Sequence, residues 1–519
     1  MAGPSAPEHA QALASPRGGG RRRGYRRASG LPGTIGVTFL GAVLPGAGFL
    51  WTRRVVMGLV VLLATLGLAA WAGWYVARDV DAIAEFAFDP AQLQVAGILL
   101  GTALLLWLAV VVSTYLLARP QHRTRRQTVL GAGFVVVLSL AMATPLAVGM
   151  RYVWVQADLV ETVFEDNRSA TAPKQATKED PWAGKDRVNV LLLGGDGNVR
   201  RDGVRTDSVI LASIDTETGR TVLFSLPRNM MNAQFPVGSP LRALYPDGFA
   251  GYGDEAGWML NAVYGQVPAL HPGVLGESDN EGADAVKHAV GGTLDLDVDY
   301  YVLVNLLGFQ QLVDAMGGVT VNINQPVPIG GNTDLGTPPE GYLEPGPEQR
   351  LNGFEALWFT RGRYGSSDYE RMERQRCMID AIIEEARPLT LLRRYEGLAA
   401  TGKEIVRTDI PSSLMPAFVD LALRVKQASV RSVVFLPSER FSSADPDFEW
   451  MRSVVRQAIS PPEPADPSPP SSPSAGVTPS APSEPPPVLG GQPSPEVGEA
   501  AEIDDACVYR PDEAVAFGD

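Results

Sequence analysis

Cysteine is nearly absent from this chain, with two residues in 519. That count excludes a disulfide-built scaffold and a cysteine-ligated zinc site. Histidine is almost as scarce. His9, His122, His271 and His288 are scattered without metal-ligand spacing, which argues against histidine-centred acid–base catalysis. No Ser/His/Asp or Cys/His arrangement stands out. Lysine is missing from residues 1–150, which carry 13 arginines and 5 acids for a net of +8. The remainder holds 31 of the 44 basic and 53 of the 58 acidic residues, a net of −22. A region that acidic is a poor general binder of nucleic acid, whose affinity rests on neutralising phosphates. No nucleic-acid partner is expected, and an arginine cluster within the region would be local and purposeful.

What is present divides the chain. Residues 1–30, with RRRGYRR at 21–27, read as a disordered basic arm. Residues 31–150 form an all-helical membrane region with apolar runs near 34–51, 55–76, 95–117 and 129–150. The last three are long enough to span a bilayer as helix. The first is broken at Leu44-Pro45-Gly46-Ala47-Gly48 and reads as a re-entrant or interfacial hairpin. Arg53, Arg54 and the basic loop 118–128 belong in the cytoplasm by the positive-inside rule. Three full spans then place everything after residue 150 outside: a multi-pass cell-membrane protein with an extracellular domain. Residues 151–185 read as a polar stalk, 186–460 as a globular domain, 461–498 as a Pro/Ser-rich linker and 499–519 as a short tail.

The globular region has α/β character. Strand-like runs fall at Val188–Leu193, Ser208–Ile214, Thr221–Leu226, Tyr300–Val304, Val319–Ile323 and Ser432–Leu436. Helical patterns fill Gly282–Leu294, Leu306–Met316, Gly353–Trp358, Tyr369–Ala386, Ser412–Lys426 and Asp447–Ile459. Such alternation predicts a sheet covered by helices on both faces.

Three features carry candidate chemistry. The stretch FTRGRYGSSDYERMERQ, 359–375, sets Arg361 and Arg363 in an extended R-x-R half and Arg371, Arg374 and Gln375 on one face of a helical half. An apolar stripe adjoins that face, so the guanidinium groups are expected at the mouth of a hydrophobic core, suited to bidentate phosphate recognition. A solvated helix with Arg–Glu370 and Arg–Glu373 pairs is the plainer alternative. Asp196 and Asp207 flank the loop between the first two strands, where they could hold one Mg²⁺ or another divalent cation, or simply serve as turn formers. Arg228 follows the third strand, where α/β folds place ligands; a surface ion pair is the alternative.

Taken in order, LLLGGD, RTDSVILASID, SLPRN, LDLDVDYYVLVN, LVDAMGGVTVNI, LNGFEALWFTRGR and DYERMERQR cover about 186–390. This series resembles the LytR–CpsA–Psr family of cell-wall glycopolymer ligases, and implies a Gram-positive, actinobacterial source. The resemblance implies an α-β-α sandwich whose interior accepts a lipid chain. It also implies Mg²⁺-dependent transfer of a glycopolymer phosphate from a polyprenyl-pyrophosphate carrier to peptidoglycan. Carried over by position, Asp196 and Asp207 are the metal-side carboxylates. Arg205, Arg228, Arg361, Arg363, Arg371 and Arg374, with Gln375, are the pyrophosphate clamp, and Asp368 is the acid ahead of the arginine helix. Two positions depart from the family pattern. Asn229 stands where an Asp is usual, and Trp258-Met259-Leu260-Asn261 lacks a Lys. A polyprenyl-pyrophosphate hydrolase and a non-catalytic membrane-bound transcriptional regulator remain as alternatives.

The two cysteines allow one intrachain pairing. The composition of the tail, AEIDDACVYRP, is unlike that of the linker before it, so it has reason to dock on the domain. A Cys377–Cys507 disulfide would pin it behind the arginine helix; a buried free Cys377 is the alternative.

Overall fold

The computed structural model describes residues 26–78, 86–164, 168–195, 205–332, 336–385, 406–460 and 501–510. Two compact units result, one of residues 1–79 and 97–151, the other of 80–96 and 152–519. The arm 1–25, Asp196, the linker 461–498 and residues 511–519 lie outside the described residues.

The first unit is helical where described. α1 (Leu31–Val43) and α2 (Ala47–Trp51) are separated by Gly46 at φ 100°, a break in the helix at the Pro-Gly step. Three helices are long and apolar enough to cross a membrane: α3 (Val55–Arg78), α4 (Pro90–Ala118) and α5 (Arg125–Val163). α1 packs on the others through Ala42, Val111, Val135 and Leu138. Trp107 Nε1 donates to the Ala42 carbonyl at 2.9 Å, which satisfies a polar group among apolar ones.

The second unit is built on a seven-stranded mixed sheet. β1 (Arg187–Gly195), β2 (Thr206–Asp215) and β3 (Thr221–Leu226) form an antiparallel run. β4 (Tyr300–Asn305) pairs parallel to β1, and the three-residue β9 (Val406–Thr408) closes that edge. At the other edge β10 (Val430–Val434) runs parallel to β3, and β11 (Ala501–Glu502) adds outside it. Side chains alternate along the strands. Leu191, Leu193, Val209, Leu211, Val222 and Phe224 enter one core. There they meet α6 (Pro240–Leu244), α7 (Val263–Leu270), α8 (Glu281–Leu294) and, late in the chain, Phe448–Ile459. Val188, Val190, Ile210, Ala212 and Leu223 face the opposite side. The sheet is therefore covered on both faces.

A second cluster carries the arginines. α9 (Leu306–Met316) leads to β5 (Val319–Ile323), a hairpin of β6 (Val327–Asn332) and β7 (Thr337–Leu343), and β8 (Gly346–Leu351). Then follow α10 (Gly353–Arg361) and α11 (Asp368–Glu385). Val313, Val321, Val327, Phe359, Met378 and Ala381 form its core. β5 was expected in the main sheet. It instead pairs with β8 in a sheet of its own. β6 and β7 read as VPIGGN and TPPEGYL, rich in residues that central strands avoid, and carry no strand signal. After β9 come α12 (Met415–Val425), β10 and α13 (Phe448–Ile459). β10 sits two residues earlier than its apolar run suggests, because Phe435 turns into the core after the strand has ended.

Two further findings concern the ends of the domain. Residues 151–185, expected as a free stalk, are in part integral to it. α5 continues to Val163, and beyond it the Ser169 hydroxyl and Ala170 N–H donate to the Asp284 carboxylate at 2.8 and 3.1 Å. Trp182 lies 5.1 Å edge-on from Phe418. A carboxylate in α8 that is itself fully buried needs donors, and this segment supplies them. At the other end, Cys377 and Cys507 are disulfide-bonded with Cα atoms 4.8 Å apart. Asn322 Nδ2 and Asn324 Nδ2 donate to the carbonyls of Cys507 and Val508 at 2.7 and 3.0 Å. The tail is thus docked behind α11, as its composition suggested.

Candidate active site

β1, β3, β4 and β10 all run in one direction, so their carboxyl ends share an edge with the start of β2. That edge is where open α/β sheets bind ligands. β1 ends in a bulge between Gly194 and Gly195, opposite Ser208 and Thr206. Asp207 follows at once, and Arg228 lies two residues beyond β3. The amino end of α11 comes to the same place. Ser367 caps it in a reciprocal bond with Glu370: the Ser367 N–H donates to Glu370 Oε2 at 2.6 Å, and the Glu370 N–H to Ser367 Oγ at 3.2 Å.

Four charged side chains meet there. Arg228 Nη1 donates to Asp207 Oδ1, and its Nε lies 3.7 Å from Asp368 Oδ1. The same oxygen is paired with Arg371 Nη2 at 2.8 Å. Arg371 is 3% exposed. Burial holds its pKa below the usual arginine value, with the Asp368 carboxylate opposing that shift. The chain Asp207–Arg228–Asp368–Arg371 is charge-balanced, yet its hydrogen bonding is incomplete. Asp368 Oδ2, Arg371 Nε, Asn229 Oδ1 and Ser366 Oγ are buried without a hydrogen-bond partner among the described residues. Unsatisfied buried polar atoms are costly and uncommon, and here they cluster within two residues of the four charges.

The R-x-R segment differs from the extended form expected. Arg361 is the last residue of α10, a helix opened by an Asn352/Glu355 capping box. Only Arg363 stands in the turn. Gly362 separates the two where no larger residue fits, since a Cβ would come 2.4 Å from the Pro328 carbonyl of β6. Arg361 lies 5.8 Å over the Trp358 ring, and Arg363 is exposed. Neither has a carboxylate at ion-pair distance among the described residues.

Two candidates prove to be engaged elsewhere. Arg374 Nε donates to the Phe359 carbonyl at 2.7 Å and its Nη2 to that of Gly362, while Gln375 Nε2 donates to Thr360 O at 3.3 Å. These side chains satisfy the carbonyl end of α10 and hold the arginine turn. Burial pushes the Arg374 pKa down to about 10. Arg374 also lines a small cavity beside the core residues Ile323, Val327 and Phe359. The plainer alternative of Arg–Glu pairing along α11 is not what the helix does, because Glu370 caps Ser367 and Glu373 pairs with Arg510 at 3.1 Å. Arg205 lies just before β2.

Residues 153–444 match the model of the LytR_cpsA_psr family. The chain belongs to that family. Among LytR_cpsA_psr relatives, a polyisoprenyl-teichoic acid–peptidoglycan teichoic acid transferase TagU of Oceanobacillus iheyensis is 29% identical over 300 residues, covering 56% of this chain and 80% of that protein. The TagU of Bacillus subtilis is 25% identical over 298 residues, covering 56% and 81%. The crystal structure of protein gbs0355 from Streptococcus agalactiae aligns with a TM-score of 0.39 at 24% identity, covering 52% of this chain and 87% of that one. The family match begins at residue 153, inside the segment read from sequence as a stalk. Within this LytR_cpsA_psr domain the structure brings together Asp207, Arg228, Asp368 and Arg371. Sequence reasoning gave Asn229 only as a departure from pattern and Ser366 only as one of the small residues that divide the arginine stretch. No spacing signal marks either one; their partnerless buried atoms do.

Proposed function

We propose that the chain is a membrane-anchored phosphotransferase. It moves a glycopolymer phosphate from a polyprenyl-pyrophosphate carrier onto peptidoglycan, with an α-β-α sandwich domain on the outer side of the membrane. The observation that carries this reading is the incomplete polar network around Asp368 and Arg371, beside two arginines without carboxylate partners among the described residues. A pyrophosphate supplies acceptor oxygens for guanidinium forks. Phosphoryl transfer depends on positioning and charge neutralisation more than on covalent help from the protein. Arg361 and Arg363 would contact the pyrophosphate, Arg228 and Arg371 would be held toward it by Asp207 and Asp368, and Arg374 and Gln375 would hold the turn.

The donors present fit a hard divalent cation. Asp207 is a carboxylate at the carboxyl-end edge, and Asp368 Oδ2 is buried and unpartnered. Among the described residues no three His, Cys, Asp or Glu side chains gather. Mg²⁺ accepts so few protein ligands when phosphate oxygens and water complete its shell. When bound it would neutralise phosphate charge. Chelation is expected to abolish most transfer, and Asp207→Asn to lose a similar fraction and to respond weakly to added Mg²⁺. An Asp207→Asn enzyme with full Mg²⁺ response, assayed by transfer of labelled glycopolymer to peptidoglycan, would remove Asp207 from the metal site. The same assay without peptidoglycan measures hydrolysis, the competing outcome.

The three long apolar helices support the anchor. A cysteine at Gln121 should be shielded from impermeant thiol reagents in intact cells, and one at Glu179 should label; both positions are exposed. The native pair is a disulfide and does not compete. The reverse pattern would put the domain inside and end the ligase reading.

A further inference from the structure

A second concave surface contains Arg205, one of the arginines carried over to the pyrophosphate clamp. It is an open cleft of about 790 Å³, lined among others by Arg205, Tyr245, Tyr252, Asp254, Trp258 and Gln266. Its base is aromatic. The Trp258 ring centroid lies 6.4 Å from that of Tyr245 and 5.2 Å from that of Phe249. The indole is fixed in place: Nε1 donates to the Tyr252 carbonyl at 3.1 Å, and the ring rests on Gly251, where a Cβ would come within 2.1 Å of it. Tyr252 at the rim is fully exposed, at 101%. Its ring contributes nothing to the folded core, and the turn that presents it ends in Gly253 at φ 105°.

The lining discriminates between ligand classes. A polyprenyl chain calls for an enclosed, predominantly apolar pocket. This cleft is open and mixes ring faces with a carboxylate, an amide and a guanidinium. That combination matches a sugar chain, whose rings present C–H faces to aromatic surfaces and hydroxyl and amide edges to polar groups. Charge decides between sugar chains. Asp254 of the lining and its chain neighbour Glu255 are exposed and repel a phosphate-rich polymer. Arg205, in the lining of the cleft, stands two residues before Asp207, the partner of Arg228.

We infer that the cleft bounded by Tyr245, Tyr252, Trp258 and Arg205 binds the glycan strand of peptidoglycan, setting an acceptor hydroxyl next to the pyrophosphate site. This inference rests on the transferase reading. The test uses the full chain in detergent and two soluble probes: a phosphate-free tetrasaccharide of the peptidoglycan glycan strand, and a phosphate-bearing repeat of the donor polymer released from its carrier. The tetrasaccharide is expected to bind, and Tyr252→Ala and Trp258→Leu each to weaken it by about tenfold, ~1.4 kcal/mol. Tyr252 touches no core residue, so Tyr252→Ala folds normally and the thermal midpoint verifies it. Absence of tetrasaccharide binding to the wild type would overturn the inference. So would equal binding by both variants, or displacement of the tetrasaccharide by the donor repeat. Transfer of the labelled glycopolymer phosphate from the carrier to a hydroxyl of intact peptidoglycan is followed in parallel on the wild type. Its absence counts against the transferase reading, whereas loss of oligosaccharide binding alone counts against the cleft.

Discussion

Arg363→Ala is expected to lower transfer by roughly 10- to 150-fold, the equivalent of one charge-assisted contact worth about 1.5–3 kcal/mol, while leaving the thermal midpoint where it was. Arg363 is exposed and has no carboxylate at ion-pair distance among the described residues, so its removal leaves nothing buried and unpaired. Arg361→Ala should behave similarly, apart from the loss of its weak contact over Trp358. Arg374→Ala provides the contrast. It strips donors from the Phe359 and Gly362 carbonyls, so stability and turnover should fall together. Assays well below saturation, paired with melting curves, separate the two patterns. Near-wild-type turnover in Arg361→Ala and Arg363→Ala would remove both from the clamp.

The contrast marks where sequence reading stopped. Arg361, Arg363, Arg371 and Arg374 look alike in a string of letters. What divides them is the partner. Arg371 faces a carboxylate three residues back, within reach of spacing arguments. Arg374 faces backbone carbonyls 12 and 15 positions away, and backbone has no sequence signature. The sheet was more legible. β1 through β4 are apolar runs bounded by turn residues, and their alternation shows in the final packing. β6 and β7 were hidden by their prolines and glycines. The ordering of 168–185 was hidden for another reason: its donors meet Asp284 more than 110 positions away.

The largest stability effect is expected at Lys287. Its ammonium donates to Asp409 Oδ2 at 2.7 Å and to the Asp299 carbonyl at 2.8 Å, and both charged side chains are 1% exposed. Asp409 also accepts from the Tyr301 N–H at 2.7 Å, and the Ser169 hydroxyl oxygen lies 3.1 Å from its Oδ2. The pair therefore ties α8, the start of β4, the end of β9 and the segment after α5. Lys287→Ala leaves a buried carboxylate without its counter-ion, at a cost of about 3–5 kcal/mol. Burial already raises the Asp409 pKa above the usual carboxylate value. A carboxyl with a raised folded-state pKa favours the fold most below its unfolded pKa, and that contribution is lost as pH rises through the folded value. Removing Lys287 moves the folded value further up. The deficit of Lys287→Ala should therefore be greatest near neutral pH and shrink on acidification. Denaturant melts at several pH values test this, and a deficit independent of pH would show that Asp409 is not its source.

The docked tail has a consequence for how the molecule is made and how it breaks. β11 covers the edge of β10 with residues that leave the ribosome only after the whole Pro/Ser-rich linker. Until they arrive, the seven-stranded sheet exists with six strands and an open edge of the kind that recruits foreign strands. The chain carries its own cover for that edge, on the far side of the Pro/Ser-rich linker. Once the bond between Cys377 and Cys507 closes, 130 positions of sequence lie within one covalent ring. A single protease cut anywhere in that ring, including the proline-rich stretch, yields two fragments that remain one molecule until the disulfide is reduced.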